Sequence, residues 1–272
     1  MCDAQYDPKV NVSFGQDTIA AAKAFLAVTT WALGEVTRPR ELIQQAIGRA
    51  VETTHAPTLV NTYWFKASLD VLRGDADEAL RDTTTVIELS RELGIANYLA
   101  MGMPYCSWAR ARLGDRETGS EGLQEGIAAI TTSGIKNWVP FFQGLLAEIE
   151  AERQDVDQAL TRIDEALGLA QQTGEHWSDA YLHRIRGEIL LKRDPANKAQ
   201  AEEVFLTGMA IAREQKARSF ELRAALSLAR LYQSSNRAAD AHAALARALE
   251  GFLPTPELPE IEEAQALLAA LA

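Results

Sequence analysis

Apolar residues recur through this chain with the spacing of a helix face. Ala79, Leu80, Val86, Ile87 and Leu89 fall at steps of three and seven, which puts them on one side of an α-helix. No segment sustains the two-residue alternation of a half-buried strand, so no strand is predicted. The helical pattern is broken at regular intervals by turn residues. Leu33-Gly34, Arg73-Gly74-Asp75, Leu113-Gly114-Asp115, Arg153-Gln154-Asp155, Arg193-Asp194-Pro195 and Ser235-Asn236-Arg237 form one set. Gly94, Gly134 and Gly174 form a second, with the same interval between successive members. Gly and Asn accept the left-handed conformation that ends a helix, and Asp caps the next one. The breaks predict six helix pairs at 17–54, 57–94, 97–134, 137–174, 177–217 and 219–251. A last helix at 257–271 follows Pro254, Pro256 and Pro259, with Glu257, Glu260, Glu262 and Glu263 at its start, where the helix dipole favours acidic groups.

Small residues keep the same period. Ala27, Ala67, Ser107, Ala147 and Gly187 are evenly spaced, and Ala229 follows two positions late. Two further series run through Ala79, Gly119, Ala159, Ala201 and Ala241, and through Val86, Gly126, Ala166, Gly208 and Ala248. With 46 alanines and 17 glycines, about a quarter of the chain is this small, yet nearly every one of these aligned positions is. Such a ruler is the mark of stacked helix pairs, with small residues wherever two helix backbones approach closely. The expected fold is an all-α, right-handed superhelix of about six pairs. Residues 1–16 would be a lead-in, 17–254 the repeat array, and 255–272 a capping helix with a polar outer face.

The three series match the small positions of the tetratricopeptide repeat, whose usual length is about 34 residues. At roughly 40 residues per repeat, each helix is expected to be nearly one turn longer, about 4–5 Å at a rise of about 1.5 Å per residue. Particular stretches carry a narrower likeness: Tyr6-Asp7-Pro8, Phe14-Gly15-Gln16-Asp17, Pro140-Phe141-Phe142 with Leu145-Leu146-Ala147-Glu148, and Thr173-Gly174-Glu175-His176-Trp177. It continues through Leu182-His183-Arg184-Ile185-Arg186-Gly187-Glu188 and Ala217-Arg218-Ser219-Phe220-Glu221-Leu222-Arg223. On these, almost the whole chain resembles the C-terminal helical-repeat region of bacterial signalling proteins of the predicted-ATPase and adenylate-cyclase type. The resemblance implies a regulatory or scaffolding segment, with catalytic domains upstream. The chain has no Gly-x-x-x-x-Gly-Lys-Ser/Thr motif, so nucleotide chemistry does not come with it.

Charge narrows the partners. A net charge of −11 sets the chain against nucleic acid and anionic membrane surfaces, which are held by clustered Lys and Arg. Cys2 and Cys106 form neither a metal spacing nor a disulfide framework, and no apolar run reaches the length of a membrane span, so a cytoplasmic protein is expected.

Little catalytic chemistry is visible, and the chain is not expected to be an enzyme or to need a cofactor. No serine or cysteine sits in a nucleophile motif such as Gly-x-Ser-x-Gly. His176, Asp179 and His183 would share a helix face and could ligate zinc, but packing is the simpler reading. Glu148/Glu150/Glu152 and Glu202/Glu203 read as solvated helix faces. The aromatics say more. Nine of nineteen lie between residues 61 and 142, namely Tyr63, Trp64, Phe65, Tyr98, Tyr105, Trp108, Trp138, Phe141 and Phe142. All fall in or beside the first helices of pairs two to four, which line the concave side of tetratricopeptide-like arrays. Counted from the ruler, Asn61, Trp64, Ser68, Met101, Tyr105, Trp108, Arg112, Phe141 and Glu148 are the candidate partner-binding residues, against the alternative that the aromatics are ordinary packing. Pro104 either kinks the first helix of pair three towards the groove or marks a late helix start.

The expected function is non-catalytic binding of a protein or peptide segment in the concave groove of a bacterial regulatory system. A sensor for a small apolar molecule, held between Trp64, Tyr105, Trp108 and Phe141, is the alternative. A spacer or dimerisation module, with homo-oligomers, fits if the groove is filled from within.

Overall fold

The structure, a computed structural model, describes residues 15–271. The lead-in expected over 1–16 lies outside these, apart from its last two residues. Thirteen α-helices and no strand are present among the described residues. They pair as α1 (Thr18–Ala32) with α2 (Arg38–Glu52), α3 (Ala56–Arg73) with α4 (Ala76–Glu92), and α5 (Ala96–Arg112) with α6 (Arg116–Thr132). α7 (Val139–Glu152) with α8 (Val156–Thr173), α9 (Asp179–Arg193) with α10 (Lys198–Glu214), and α11 (Arg218–Gln233) with α12 (Ala238–Leu249) complete the set. α13 (Glu260–Leu271) packs against α11 and α12. The whole is a tetratricopeptide-like superhelix of six helix pairs. No described helix is long and apolar enough to cross a membrane.

The helix stops take the left-handed backbone that the turn residues suggest. Gly74 (φ 78°) ends α3 and Gly174 (φ 74°) ends α8. Where the repeat lacks glycine, the conformation persists on Thr54, Gln154, Lys216 and Asn236, with φ between 49° and 70°, while the stop before Pro195 is extended instead, Asp194 having φ −144°. Packing imposes the turn even where the local residue disfavours it.

The small-residue ruler marks the contacts between helices. All its members are buried except Ser107. A Cβ added to Gly187 would fall 2.4 Å from the Phe205 ring, and one on Gly119 would fall 2.7 Å from the Ala111 backbone nitrogen. Pro104 belongs to the same system. α5 runs through it without a late start, and the ring packs against α6, with Pro104 Cδ 3.0 Å from a Cβ built on Gly126. The proline therefore faces its partner helix, not the groove.

One contact has no counterpart in the repeat. The array closes, because α1 meets α11. Ser219 Oγ donates to the Trp31 carbonyl at 2.6 Å, and the rings of Trp31 and Phe220 meet edge-on at 5.9 Å. Trp31 Nε1 donates to the carbonyl of Glu257 at 3.3 Å, and the Glu257 carboxylate pairs with Arg40 and Arg73 at 2.9 Å each. The guanidinium of Arg223 lies 4.9 Å over the Trp31 ring. First pair, last pair and the segment leading into α13 thus share one seam.

Two glycines should respond in opposite directions to the same substitution. Gly119→Ala forces a methyl into helix backbone, and overpacking of that kind costs roughly 1–3 kcal/mol. Gly168, inside α8, has open space where its Cβ would stand, so Gly168→Ala should stabilise by up to about 1 kcal/mol. Chemical denaturation of both variants checks the pair, and equal effects would contradict the packing described.

Candidate functional site

The first helices of the pairs face the axis of the array, and their inner wall lines a half-open chamber of about 270 Å³. Four predicted residues line it: Trp108 and Arg112 of α5, Phe141 and Glu148 of α7. Tyr181 and Arg184 of α9, Arg223, Ser227 and Arg230 of α11, and Glu260 and Glu263 of α13 complete its polar part. Arg112, Glu148 and Arg184 follow one another at steps of 36. That is one repeat less four residues, so each step to the next pair moves about one helical turn back and the three meet diagonally across the stack. Arg112 bonds to both Glu148 and Glu152, while Arg184 contacts Glu148 at 3.5 Å and Glu188 at 2.8 Å. Arg223 pairs with Glu260 at 2.7 Å, and Arg230 pairs with Glu263. Burial opposes the charge on Glu148, but Arg112, Arg184 and Arg223 outweigh it and hold its carboxyl below the usual range. Burial pushes the Tyr181 phenol well above its ordinary value, and Glu148 adds to the effect.

The other five predicted residues do not reach the chamber. Asn61 Nδ2 donates to Tyr98 Oη at 2.6 Å, Trp64 Nε1 to the Met101 carbonyl at 3.0 Å, and Ser68 Oγ to the Trp64 carbonyl at 3.0 Å. Tyr105 is fully buried between Trp64 (5.6 Å) and Phe142 (5.0 Å). Trp64 also meets Trp138 at 5.0 Å, two pairs further on. The superhelix is wound tightly enough for its inner aromatics to touch across the axis. Trp64, Tyr105, Trp108 and Phe141 are each at most 3% exposed, and the Trp64 and Tyr105 rings are in contact, so these four do not frame an open groove.

A second, mostly apolar cavity of about 430 Å³ lies between α1 and the segments entering α7, α9 and α11. Phe25, Trp138, Trp177 and Phe220 form its walls, and Leu72 lines both cavities. Trp138 has φ 71°, a genuine outlier for so bulky a side chain. Glu175 Oε1 holds it there, accepting from the Trp138 backbone N–H at 2.6 Å and from Trp177 Nε1 at 2.9 Å.

The acidic sets are not simple solvated faces. Glu150 is 3% exposed and takes both bonds of an Arg162 fork at 2.8 Å, and Glu202 accepts from Tyr232 and Arg237. Glu203 alone is exposed as expected. His176 bonds to Asp179 at 2.8 Å, but it precedes α9, so the three candidate zinc ligands do not share one helix face. Asp70, Glu78 and Asp82 do converge, with carboxylate oxygens within 4.8 Å of one another. The ammonium of Lys66 already lies among them, 3.2 Å from Asp70 and Glu78 and closer still to Asp82, and with Arg73 3.0 Å from Asp70 and Arg81 2.9 Å from Glu78 three cations face the three carboxylates. Tyr181, Arg184, Arg223, Arg230, Glu260 and Glu263 escaped the sequence reading, which confined the groove to pairs two to four. The same step that leads from Arg112 to Glu148 would have found Arg184.

No protein-family model matches the chain. It is 20% identical over 217 residues to an uncharacterized protein of Rhizobium meliloti (strain 1021). The match covers 80% of this chain and 21% of that protein, so the chain spans about a fifth of the length of the curated relative it matches. Among solved structures it is similar to a Rap protein complexed with Competence and Sporulation Factor, with a TM-score of 0.69 and 14% identity over 99% of this chain and 71% of that one. NprR in complex with its cognate peptide NprX gives a TM-score of 0.61 and 12% identity, over 99% of this chain and 73% of that one. BtubC from P. vanneervenii gives 0.52 and 17% identity, over 88% and 96%. At such identities the likeness is one of fold.

The Lys66 cluster sets a pH dependence whose sign follows from Asp70. Burial, together with the neighbouring Asp82 carboxylate, pushes Asp70 from 3.8 up to about 7 against the pull of Lys66. A carboxyl raised in the folded state binds a proton there before the unfolded chain does, so its contribution to stability falls as pH rises from about 4 to about 7. Wild type should therefore lose stability relative to Asp70→Asn across that window, as measured by denaturant unfolding at several pH values. A difference that grows the other way would show Asp70 held ionised by Lys66 and Arg73.

Proposed function

We propose that this protein is a non-catalytic regulatory module that binds a peptide or protein segment on the inner wall of its helical array. The observation that carries the reading is the chamber itself, where Trp108, Arg112, Phe141 and Glu148 from two pairs meet matching residues of three further helices. The fold likeness to NprR, solved with its cognate peptide, supports it over nearly the full chain. At about 270 Å³ the chamber is smaller than the roughly 300–1,000 Å³ of drug-sized ligand sites. A peptide would enter by one end or one side chain, with the rest lying outside or admitted by opening the seam between α1 and α11. The resemblance to bacterial signalling proteins makes a cytoplasmic signalling system the setting of this proposal, and the chain's acidity turns it from nucleic acid towards protein partners.

Selection of random octapeptides on the immobilised protein should enrich a consensus. Glu148→Gln should then weaken the selected peptide at least about tenfold, a loss of about 1.4 kcal/mol. Failure to enrich any sequence, or a consensus indifferent to Glu148→Gln and Arg230→Ala, would sink the proposal.

The second cavity favours a second reading, a sensor for a small apolar ligand. At about 430 Å³ it falls within the usual range, and its walls are largely aromatic and aliphatic. N-phenyl-1-naphthylamine should brighten on binding there, and Ala32→Phe, which fills the cavity, should abolish the signal while peptide selection stays intact. Fluorescence unchanged by that substitution would retire this reading.

A further inference from the structure

Unpartnered polar atoms of opposite kinds border the two cavities. On the chamber wall they include two donors, Trp108 Nε1 and Arg184 Nε. Beside the apolar cavity they are acceptors, Glu175 Oε2 and Asp179 Oδ1, each buried and without a hydrogen-bond partner. Neither carboxylate lines that cavity, but each is bonded to residues that do: Glu175 to Trp138 and Trp177 through its other oxygen, Asp179 to His176. Among the described residues, none that lines it is Lys or Arg. An acceptor left unpaired in an apolar surround is destabilising, and the chain's net charge of −11 adds to the negative potential there.

The walls in front of these carboxylates are aromatic. The Trp138 and Trp177 rings meet at 58° with centroids 4.7 Å apart, so they form a corner and not a flat stack. Phe25 and Phe220 add two further rings. Trp177 turns its N–H, on the positive edge of the indole, to Glu175, so its electron-rich faces are what it can offer the cavity. Trp138 reaches the corner only on a left-handed backbone, a kind of strain that gathers at ligand sites. Thr29 Oγ1 and Gln215 Nε2 donate to backbone carbonyls, of Phe25 at 3.0 Å and His176 at 2.7 Å.

We infer that this cavity is an aromatic cage for a small methylated ammonium compound, a cation of the choline type, with Glu175 as its countercharge. The inference narrows the second reading above and rests on it for the site itself. Cations are attracted to ring faces within about 6 Å, and to tryptophan most strongly. A quaternary ammonium brings apolar methyl groups to an apolar wall and has no N–H to satisfy. A primary ammonium would give up its hydrogen bonds to water and find few acceptors in exchange. A neutral ligand of the same shape would leave Glu175 without a countercharge. Phe25 is 57% exposed, so the cavity is open to solvent on its side, and about 430 Å³ leaves room for a substituent beyond the trimethylammonium head.

The test uses the full chain at constant ionic strength, with choline, its neutral carbon isostere 3,3-dimethylbutanol, and ethanolamine. Choline should bind saturably by calorimetry, raise the melting temperature and displace N-phenyl-1-naphthylamine. The isostere lacks only the charge and ethanolamine only the methyl groups, and each should bind at least about tenfold more weakly. Glu175→Gln keeps an oxygen for Trp138 and Trp177 but removes the charge, so it should weaken choline severalfold and leave naphthylamine binding in place. Ala32→Phe should abolish both. Isostere or ethanolamine binding as well as choline overturns the cage, as does choline binding unchanged by either substitution. Naphthylamine binding without choline binding also overturns it and leaves the apolar-ligand site standing. Choline binding with no naphthylamine signal supports the cage and overturns a neutral ligand. No binding of any probe overturns both readings of the cavity.

Discussion

Every level of this structure depends on how closely the helices of a pair can approach. The ruler residues are small because a neighbouring backbone or ring occupies the space where a larger side chain would stand, as Gly187 shows against Phe205 and Gly119 against Ala111. That distance sets the tilt between one pair and the next, and tilt repeated over six pairs sets the curvature. With this spacing the array bends until α1 reaches α11. The seam, the inner wall and the cavities are all downstream of the close approach.

Tight curvature leaves little space on the inside, and side chains from separate pairs compete for it. Aromatics solve part of the problem by stacking across the axis, from Phe25 and Phe65 through Trp64 and Trp138 to Trp177, Phe141 and Tyr181. Charged groups take the rest, alternating in sign down the diagonal so that Glu148 lies between Arg112 of the preceding pair and Arg184 of the following one, with Glu188 completing Arg184 on its own helix. Burial penalises every one of these charges, and mutual pairing offsets the penalty where geometry allows. The chamber is the place where the offset is incomplete.

What repeats in this chain was legible, and what occurs once was not. The constant period located every helix pair, because the stops and the ruler recur wherever one pair meets the next. The seam gave no such signal. Trp31, Ser219 and Glu257 are single residues up to 226 positions apart, and no periodicity announces that they meet. The inner wall was half legible for the same reason. Counting from the ruler picked out Trp108, Arg112, Phe141 and Glu148, which line the chamber, but how deeply Trp64 and Tyr105 are buried depends on curvature, a property of the whole array. Left-handed turns on Thr54 and Gln154 were hidden too, since neither residue favours that backbone, and only the packing of the flanking helices holds them there.

Closure also changes how such a protein comes apart. In an open stack each terminal repeat has one neighbour, so unfolding begins at an end and proceeds piecewise, with stability close to a sum over repeats and interfaces. Here the first and last pairs are bound to one another, and no pair is terminal in that sense. Detaching any one of them breaks two interfaces at once, which couples the pairs into a single cooperative unit. A solenoid ordinarily tolerates gaining or losing a repeat. This one has a fixed number, because five or seven pairs of the same curvature would leave Trp31 and Ser219 with nothing to meet.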